Sequence, residues 1–204
     1  GTISASDAED STLSYSIVTG TDTTGLSKVG TYGVLSVDAA TGAYSYAVNA
    51  TAVNALSADA TEVFTLQVSD GSLTTTQTVT FNITGVNDTP VISAVSAPAT
   101  IVDTAANDSF SAVTGTITAS DAEGQTLSYA IVTGSDATGL SKAGSYGTLS
   151  VDATTGAYSC AVDATAVNAL SSNTSESFTF QVSDGNGGTT TSTVTFTITG
   201  VNDT

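Results

Sequence analysis

Thr78-Val-Thr-Phe-Asn-Ile-Thr84 alternates polar and apolar residues, and the same alternation recurs in Thr193-Val-Thr-Phe-Thr-Ile-Thr199. Successive side chains of a β-strand point to opposite faces, so a period of two predicts a strand with one buried face. Working outward, Phe64-Thr-Leu-Gln-Val68 and its later copy Phe178-Thr-Phe-Gln-Val182 have the same pattern. We therefore expect Val, Phe and Ile to face a core and the Ser and Thr residues to face water.

Shorter alternating runs and turn residues extend this pattern along the chain. Residues 13–17, 44–48 and 127–131 are further predicted strands, and Gly or Asp-Gly separates the runs at a spacing of about ten residues. Only residues 50–56 and 164–170 are expected to be helical, for about two turns at most. About seven short strands in roughly 100 residues are typical of an immunoglobulin-like β-sandwich.

The sequence contains an internal repeat of domain size. Gly1-Thr-Ile-Ser-Ala-Ser-Asp-Ala-Glu9 recurs as Gly115-Thr-Ile-Thr-Ala-Ser-Asp-Ala-Glu123, at an offset of 115 − 1 = 114 residues. One residue is added in the Asn186-Gly-Gly188 turn, and Thr-Gly-Val-Asn-Asp-Thr then closes both copies. A period of about 115 residues is that of a whole domain, so the sequence predicts two β-sandwiches in tandem.

The repeat predicts a domain boundary and an asymmetry between the copies. We expect one domain at residues 1–89 and a second at residues 90–204. Repeat 2 begins with a leading segment, residues 90–114, that repeat 1 lacks. Both ends of the sequence fall within the repeating pattern, which favours a piece cut from a longer tandem array. A natural two-domain protein with a lost first strand is the alternative.

Composition excludes several classes of function. The 204 residues include 2 Lys and Arg against 19 Asp and Glu, for a formal net charge of −17, and they include no His. Such an acidic chain repels phosphate backbones, so we expect no nucleic-acid partner, and no apolar run is long enough for membrane insertion. Without His, the Ser-His-Asp triad and imidazole-based zinc sites are excluded. A glycoside hydrolase using an Asp/Glu pair is disfavoured because no cleft-forming insertion is visible. We therefore expect a monomer that is not an enzyme, with its two lysines, Lys28 and Lys142, in equivalent loops.

Acidic residues gather in loops that would meet at one end of a sandwich. Asp121 and Glu123 precede a predicted strand, Asp184 follows one, and Asn87-Asp88 lies just before repeat 2. Because alternate loops of a sandwich cluster at the same end, these carboxylates would repel one another unless a cation lay between them. Ca²⁺ takes about six to eight oxygen ligands from carboxylates, amides and backbone carbonyls, and it suits this inventory better than Mg²⁺ or a softer metal.

The copies of these acids in repeat 1 would form a second site, which we expect to be incomplete. The full predicted set of calcium ligands is Asn87, Asp88, Asp121, Glu123, Asp184, Asp7, Glu9 and Asp70. Plain turn formation by Asp and Asn is the alternative reading of these positions. Asp103, in the segment that only repeat 2 possesses, is left open as a further ligand. The acids expected only in turns or on the surface are Asp22, Asp38, Asp136 and Asp152.

The motifs of both copies, taken in order, resemble a known family. Residues 144–158 (Gly-Ser-Tyr-Gly-Thr-Leu-Ser-Val-Asp-Ala-Thr-Thr-Gly-Ala-Tyr), 182–189 (Val-Ser-Asp-Gly-Asn-Gly-Gly-Thr) and 199–203 (Thr-Gly-Val-Asn-Asp) are similar to the VCBS repeat. That family consists of tandem cadherin-like domains in long bacterial surface adhesins, including RTX adhesins. The resemblance covers nearly all of both copies and implies cadherin-like, immunoglobulin-like β-sandwiches.

The resemblance also implies ligand roles. The loop of Asp121 and Glu123 is similar to the cadherin Asp-Ala-Asp loop, and Val-Ser-Asp184-Gly is similar to the acidic position before the last cadherin strand. Val-Asn87-Asp88-Thr-Pro90 resembles the interdomain linker, but Gly85 stands where the linker's first Asp is expected. One carboxylate is missing, so one or two calcium ions at each junction are implied rather than three.

The resemblance implies that the chain is an extracellular, secreted repeat at the bacterial cell surface. It would act as a calcium-rigidified structural extender in cell adhesion or biofilm formation, with neighbouring repeats of the same chain as partners. Cell-surface or carbohydrate ligands would be bound through other domains. The alternative is a carbohydrate- or surface-binding module of a secreted protein, for which Tyr32 and Tyr146 are the best candidates. Cys160, which replaces Tyr46 of repeat 1, is expected to be a small buried residue.

Overall fold

The protein folds almost entirely as β-structure, with 52% strand and 5% helix. The structure is a computed structural model that describes residues 1–8, 12–19, 22–135 and 138–202, and of residues 22–24 it describes only the backbone. Contacts divide the chain into two compact units, Gly1–Asn87 and Asp88–Thr204, which are called unit 1 and unit 2 below. The sequence-based division between residues 89 and 90 remains a prediction.

The described part of unit 1 contains seven strands and one short helix. These are β1 (Ser14–Thr19), β2 (Asp22–Gly25), β3 (Ser27–Val29), β4 (Gly33–Val37), β5 (Tyr44–Val48), α1 (Ala50–Asn54), β6 (Ala60–Ser69) and β7 (Thr74–Ile83). One sheet has the order β2-β1-β6-β7, and the other has the order β3-β4-β5. Their facing side chains form one core, which includes Ile17 of β1, Leu35 of β4 and Phe64 of β6.

Unit 2 repeats this arrangement and, compared with the described strands of unit 1, has two more strands in one sheet and one more in the other. Its elements are β8 (Val91–Val95), β9 (Ile101–Val102), β10 (Val113–Ser120), β11 (Ser128–Val132), β12 (Thr138–Gly139), β13 (Ser141–Ala143), β14 (Gly147–Val151), β15 (Ala157–Val162), α2 (Ala164–Asn168), β16 (Thr174–Ser183) and β17 (Thr189–Thr199). The sheet orders are β13-β14-β15-β10-β8 and β12-β11-β16-β17-β9. Each unit is therefore an immunoglobulin-like β-sandwich, and the predicted fold class is confirmed.

The period of two in the sequence appears as alternating burial along β17. Val194, Phe196 and Ile198 are buried, whereas the threonines between them are exposed. The strand pairs with β16 in unbroken antiparallel register, from Thr174 opposite Ile198 to Ser183 opposite Thr189. The predicted alternating strand therefore contributes its apolar face to the core of unit 2.

The leading segment supplies β8 and β9, two of the three strands of unit 2 that have no counterpart among the described strands of unit 1. β8 pairs antiparallel with β10, and β9 pairs parallel with β17. A second apolar cluster forms beneath them, with Ile101, Val167 and Ile198 buried at its centre. In the described residues of unit 1 the buried core residues form a single cluster.

The short helices begin at side-chain caps. The Oδ1 atoms of Asn49 and Asp163 accept hydrogen bonds from the backbone N–H groups of Ala52 and Ala166, at 3.2 and 3.1 Å. Such caps satisfy N–H groups that the first helical turn leaves unpaired. In the described part of the chain no helix is long and apolar enough to cross a membrane.

The two lysines lie on strands, so their prediction as loop residues was wrong. Lys28 is on β3 and Lys142 is on β13, and each Nζ donates to a backbone carbonyl, of Val18 at 3.2 Å and of Val132 at 2.9 Å. Strands of three residues are too short to show a period of two in the sequence, which is why they read as loops.

Candidate calcium site in unit 2

Four of the predicted ligands belong to unit 2 and are brought to one end of it by strand ends. Asp121 and Glu123 follow β10, which ends at Ser120, and Asp184 follows β16, which ends at Ser183. Asp88 is the first residue of the unit. Its backbone N–H donates to Glu123 Oε2 at 3.2 Å. The first residue of unit 2 is therefore hydrogen-bonded to the loop that contains Asp121 and Glu123, which is called the acidic loop below.

The acidic loop holds two carboxylate oxygens that its own backbone does not satisfy. Asp121 Oδ1 accepts hydrogen bonds from the backbone N–H groups of Glu123 and Gln125, at 3.0 and 3.4 Å. Asp121 Oδ2 and Glu123 Oε1 are buried, and neither has a hydrogen-bond partner among the residues that the structure describes. Leaving a buried polar atom unsatisfied costs about 1–3 kcal/mol, and more when the group is charged. A cation bound at this loop would remove that cost.

Asp184 is held in a tight turn near Asp88, the first residue of unit 2. It is 4% exposed, and its Oδ1 accepts from the backbone N–H groups of Asn186 and Gly188, at 2.7 and 3.0 Å. A Cβ atom at Gly188 would overlap Asp184 Oδ2 and lie 3.1 Å from the backbone carbonyl oxygen of Asp88. The glycine therefore allows an aspartate carboxylate and a backbone carbonyl to approach each other, and both are oxygen donors that Ca²⁺ accepts.

The donor chemistry fits calcium, although a cage of carboxylates is not preformed. Within the described ranges, no group of three or more Asp, Glu, His or Cys side chains is arranged to hold a metal ion. Calcium does not need such a group, because backbone carbonyls and water complete its coordination in flexible geometry. The available donors here are hard oxygens, which excludes metals that require imidazole or thiolate.

The remaining predicted ligands belong to unit 1. Asn87 is its last residue, and Glu9 lies outside the described residues. Asp7 and Asp70 line one groove with a volume of about 290 Å³. Asp70 Oδ1 also accepts from the backbone N–H groups of Ser72 and Leu73, at 2.6 and 2.7 Å, so this aspartate forms a turn as well.

Asp103 occupies a second position where a buried carboxylate oxygen is unsatisfied. It is 2% exposed and lies next to the closing motif of unit 2, where its Oδ2 accepts from the backbone N–H of Val201 at 3.0 Å. Its Oδ1 is buried and has no partner in the part of the chain that the structure describes. The sequence left Asp103 open because nothing in the local pattern shows that it would face the closing motif.

Two residues near the closing motifs were missed in the sequence. Asp59 Oδ1 accepts from the backbone N–H of Gly85, and Asn173 Oδ1 accepts from that of Gly200, both at 3.2 Å. Each places an oxygen-bearing side chain at the start of a closing motif. Asp59 directly precedes β6 and Asn173 directly precedes β16, and they are separated by the repeat offset, 173 − 59 = 114. This recurrence was the signal available in the sequence.

Exposed aromatic residues, which a sugar-binding face would need, are not a feature of the described surface. The large apolar side chains exposed there are all Val or Leu. Tyr146 is half-buried and packs against the cluster of Ile101, Val167 and Ile198, and Tyr32 is also half-buried. The structure therefore gives no support to the carbohydrate-binding alternative.

Comparison with known families identifies the module. A family model described as a bacterial cadherin-like domain matches residues 87–200, which is more than half of the chain. The chain belongs to this family. Cadherin-like domains are adhesion-type extracellular repeats, and they are structural modules rather than enzymes. The matched region of this cadherin-like chain contains all the candidate ligands of unit 2.

Several solved cadherin structures are similar to this cadherin-like chain. Extracellular cadherin domains 1–5 of protocadherin gamma B2 are 16% identical, with a TM-score of 0.45, over 95% of this chain and 34% of that one. Human CDH23 EC21–23 is 20% identical, with a TM-score of 0.43, over 97% of this chain and 66% of that one. Drosophila N-cadherin EC1–4 is 17% identical, with a TM-score of 0.36, over 93% and 41%. This chain therefore spans between a third and two thirds of the length of these cadherin structures. Curated protein sequences include no match.

Proposed function

We propose that this cadherin-like chain is a structural extender of a large bacterial cell-surface adhesin, with repeats of the VCBS type found in RTX adhesins. Calcium bound beside the start of unit 2 would restrict the angle between neighbouring repeats. The observation that supports this proposal is the pair of buried carboxylate oxygens, Asp121 Oδ2 and Glu123 Oε1, left without partners beside Asp88 in the described structure.

The residues that would hold the ion are four acidic residues of unit 2 and the asparagine that precedes it. Asp88, Asp121, Glu123 and Asp184 would supply carboxylate or carbonyl oxygens, and Asn87 would add an amide oxygen. Asp103 would serve a further ion at the other end of unit 2, where its Oδ1 is buried. In each place calcium would supply positive charge that the chain cannot supply itself, because it has only 2 Lys and Arg for 19 acids.

The charge balance also supports an extender rather than a binding module. A net charge of −17 keeps such a chain soluble and monomeric, and it makes close approach of acidic ends unfavourable without a cation. Partners of this chain would then be the neighbouring repeats of the same polypeptide, at the bacterial cell surface. Adhesive ligands would be bound by other domains.

Calorimetric titration of the full chain with calcium tests the proposal. We expect binding, and we expect the melting temperature in millimolar calcium to exceed that in chelator. A ligand that binds only the folded state adds about 2.7 kcal/mol when its concentration is one hundred times Kd. An unchanged melting temperature would contradict the proposal.

Two variants and one matched control identify the ligands. Asp121→Ala and Asp88→Ala should weaken calcium binding. Asp152→Ala should leave it unchanged, because Asp152 Oδ1 accepts hydrogen bonds from Thr154 and Thr155 in its own turn, at 2.8–3.0 Å. Equal calcium affinity in all three variants would show that the ligand assignment is wrong.

A further inference from the structure

The turn between β16 and β17 contains the only Asn-Gly dipeptide of the sequence, Asn186-Gly187. Both residues are exposed, and a Cβ atom at Gly187 would have no heavy atom beyond its chain neighbours within 4 Å. The φ angle of Gly187 is +106°, a conformation that favours glycine. This turn is also where repeat 2 has one residue more than repeat 1, so the turn of unit 1 shows what the added residue changes.

In unit 1 the corresponding turn has a hydrogen bond for each of its backbone N–H groups. Asp70 Oδ1 accepts from the N–H groups of Ser72 and Leu73, at 2.6 and 2.7 Å, and Ser69 Oγ accepts from that of Gly71 at 3.1 Å. The N–H of Asp70 itself donates to the carbonyl oxygen of Leu73 at 3.3 Å, which closes the turn. The backbone nitrogens from Asp70 to Leu73 are therefore all held, as is usual for backbone N–H groups of folded proteins.

Unit 2 keeps the same hydrogen-bonded frame around one more residue. Asp184 Oδ1 again accepts from two backbone N–H groups, those of Asn186 and Gly188, and the N–H of Asp184 donates to the carbonyl oxygen of Gly188 at 3.2 Å. Gly187 lies between these two donors, and its N–H makes no hydrogen bond to a residue that the structure describes. The added residue therefore leaves one backbone nitrogen outside the frame.

We propose that Asn186 is a site of spontaneous deamidation, with water as the co-reactant. The Gly187 nitrogen forms a bond to Asn186 Cγ, and its proton passes to the side-chain amide nitrogen, which leaves as ammonia. Water then opens the resulting cyclic imide, because its hydroxyl adds to one of the two carbonyl carbons and its proton goes to the ring nitrogen. Opening at one carbonyl gives aspartate and opening at the other gives isoaspartate, so the reaction needs no oxidant or reductant.

Three features of the turn favour this reaction at Asn186. Glycine has no side chain to cover the attacking nitrogen, and the open space around Gly187 allows the main chain to rotate towards the amide. The attack is intramolecular, because the nucleophile and the carbonyl carbon belong to adjacent residues, and this raises their effective concentration. A hydrogen bond from the nitrogen would oppose the loss of its proton, and Gly187 makes none within the described structure.

The product changes the turn that holds Asp184. Replacing the amide with a carboxylate takes the formal net charge to −17 − 1 = −18. The isoaspartate product also adds one carbon to the main chain between the two N–H groups that Asp184 binds, so it should distort the turn. Unit 1 has Ser72 at the matching position, and serine has no amide to lose. The inference is independent of the proposed calcium role, since the reaction needs only water.

Incubation of the full chain in water enriched in heavy oxygen tests the proposal by peptide mass spectrometry. The peptide that contains Asn186 should gain heavy oxygen with time, and faster at mildly alkaline than at neutral pH, because the attacking nitrogen must lose its proton. Electron-transfer fragmentation should show isoaspartate as well as aspartate at this position. Asn173, which is exposed but precedes Thr174, should remain an amide. Absence of label at Asn186, or equal labelling at Asn173, would overturn the proposal.

A second Asn-Gly pair, introduced in unit 1, separates the effect of the turn from that of the dipeptide. The double substitution Ser72→Asn and Leu73→Gly places this dipeptide where Asp70 accepts from the N–H of position 73. Leu73 is 74% exposed, so its replacement leaves the core of unit 1 intact. In the folded double variant Asn186 should deamidate several times faster than the asparagine introduced at position 72, and in urea the two should react at similar rates. Equal rates in the folded chain would overturn the inference that the unbound Gly187 N–H directs the reaction.

Discussion

At the scale of single residues, one glutamate in each unit, buried in unit 1 and half-buried in unit 2, holds the hairpin between two strands. Glu62 Oε1 accepts from the backbone N–H groups of Thr31 and Tyr32, and its Oε2 accepts from the Tyr46 hydroxyl at 2.6 Å. Burial, reinforced by this hydrogen bond and by the carboxylate charge, raises the pKa of Tyr46 to about 12. The Tyr46 hydroxyl and the Glu62 carboxylate are therefore coupled through this hydrogen bond.

Unit 2 keeps the glutamate but replaces the phenol. Glu176 accepts from the backbone N–H groups of Ser145 and Tyr146, and Cys160 takes the place of Tyr46. Cys160 is 2% exposed, so the expectation of a small buried residue is confirmed. Burial raises the pKa of its thiol, and the nearby Glu176 charge raises it further, so the thiol stays protonated and unreactive.

Tyr46→Phe should lower the free energy of unfolding of unit 1 by about 1–2 kcal/mol at neutral pH, because it removes the hydroxyl that bonds Glu62. The ring stacking on Phe81, with centroids 4.1 Å apart, should remain. Since the folded pKa of Tyr46 is raised from 10.0, its contribution is present below pH 10.0 and is lost as pH rises towards 12. Urea unfolding should therefore show the two proteins converging at alkaline pH.

Tyr32→Phe is the control for this measurement, because Tyr32 contacts Glu62 through its backbone N–H rather than its hydroxyl. It should unfold like the wild type at neutral pH. A Tyr46→Phe protein as stable as the wild type would show that the hydroxyl contributes nothing to unit 1.

At the scale of elements, unit 2 has three strands that lack a counterpart among the described strands of unit 1, namely β8, β9 and β10. β8 and β9 cover β10 and the end of β17, and beneath them Val194, Phe196 and Ile198 are buried. The counterparts of these three residues on β7, which are Val79, Phe81 and Ile83, are only half-buried. Apolar burial stabilises by about 25 cal/mol for each Å², so unit 1 gains less from the same sequence.

Unit 1 should therefore open before unit 2. In native-state hydrogen exchange of the full chain, the amides of residues 64–68 in β6 should exchange faster than those of residues 178–182 in β16. The two segments are matched in position and nearly so in sequence. The comparison therefore isolates the effect of β8 and β9 on stability. Faster exchange in β16 would contradict this account of stability.

At the scale of the whole molecule, the excess of negative charge and the tandem repeat determine how the chain should respond to calcium and to salt. Of the side chains charged at neutral pH, 19 are acidic and 2 are basic, and Glu123 and Asp184 lie near Asp88, the first residue of unit 2. At 0.1 M salt, the repulsion between exposed acidic side chains is largely screened beyond about 10 Å. The repulsion between buried acidic side chains is screened much less. Calcium should therefore change interdomain freedom more than added NaCl does.

Small-angle X-ray scattering should show a larger maximum dimension and a narrower distance distribution in calcium than in chelator, because a bound ion would restrict the junction. Asp88→Ala should remove this difference. Asp152→Ala, whose carboxylate forms its own turn, should retain it. Identical curves for the wild type in both conditions would contradict the extender proposal and leave the fold unaffected.

Much of the architecture could be predicted from the sequence because it depends on local and periodic signals. Alternation in residues 78–84 and 193–199 predicted the long strands, and the recurrence of Gly1–Glu9 at residues 115–123 predicted two similar domains. The absence of His and the excess of carboxylates limited any metal site to oxygen ligands. The short strands that carry Lys28 and Lys142 were missed, because three residues are too few to show a period.

The sequence by itself therefore determined the fold class, the repeat and the kind of ligand atom, oxygen, that the chain can offer to a metal. All three depend on composition and spacing. Only the tertiary structure decided which oxygens are left unsatisfied, at Asp121, Glu123 and Asp103, and which side chains meet the closing motifs, as Asp59 meets Gly85. It also decided that residues 90–114 contribute a strand to each sheet of unit 2. The physical reason is that these contacts join residues far apart in the chain, so their partners are set by how the strands pack.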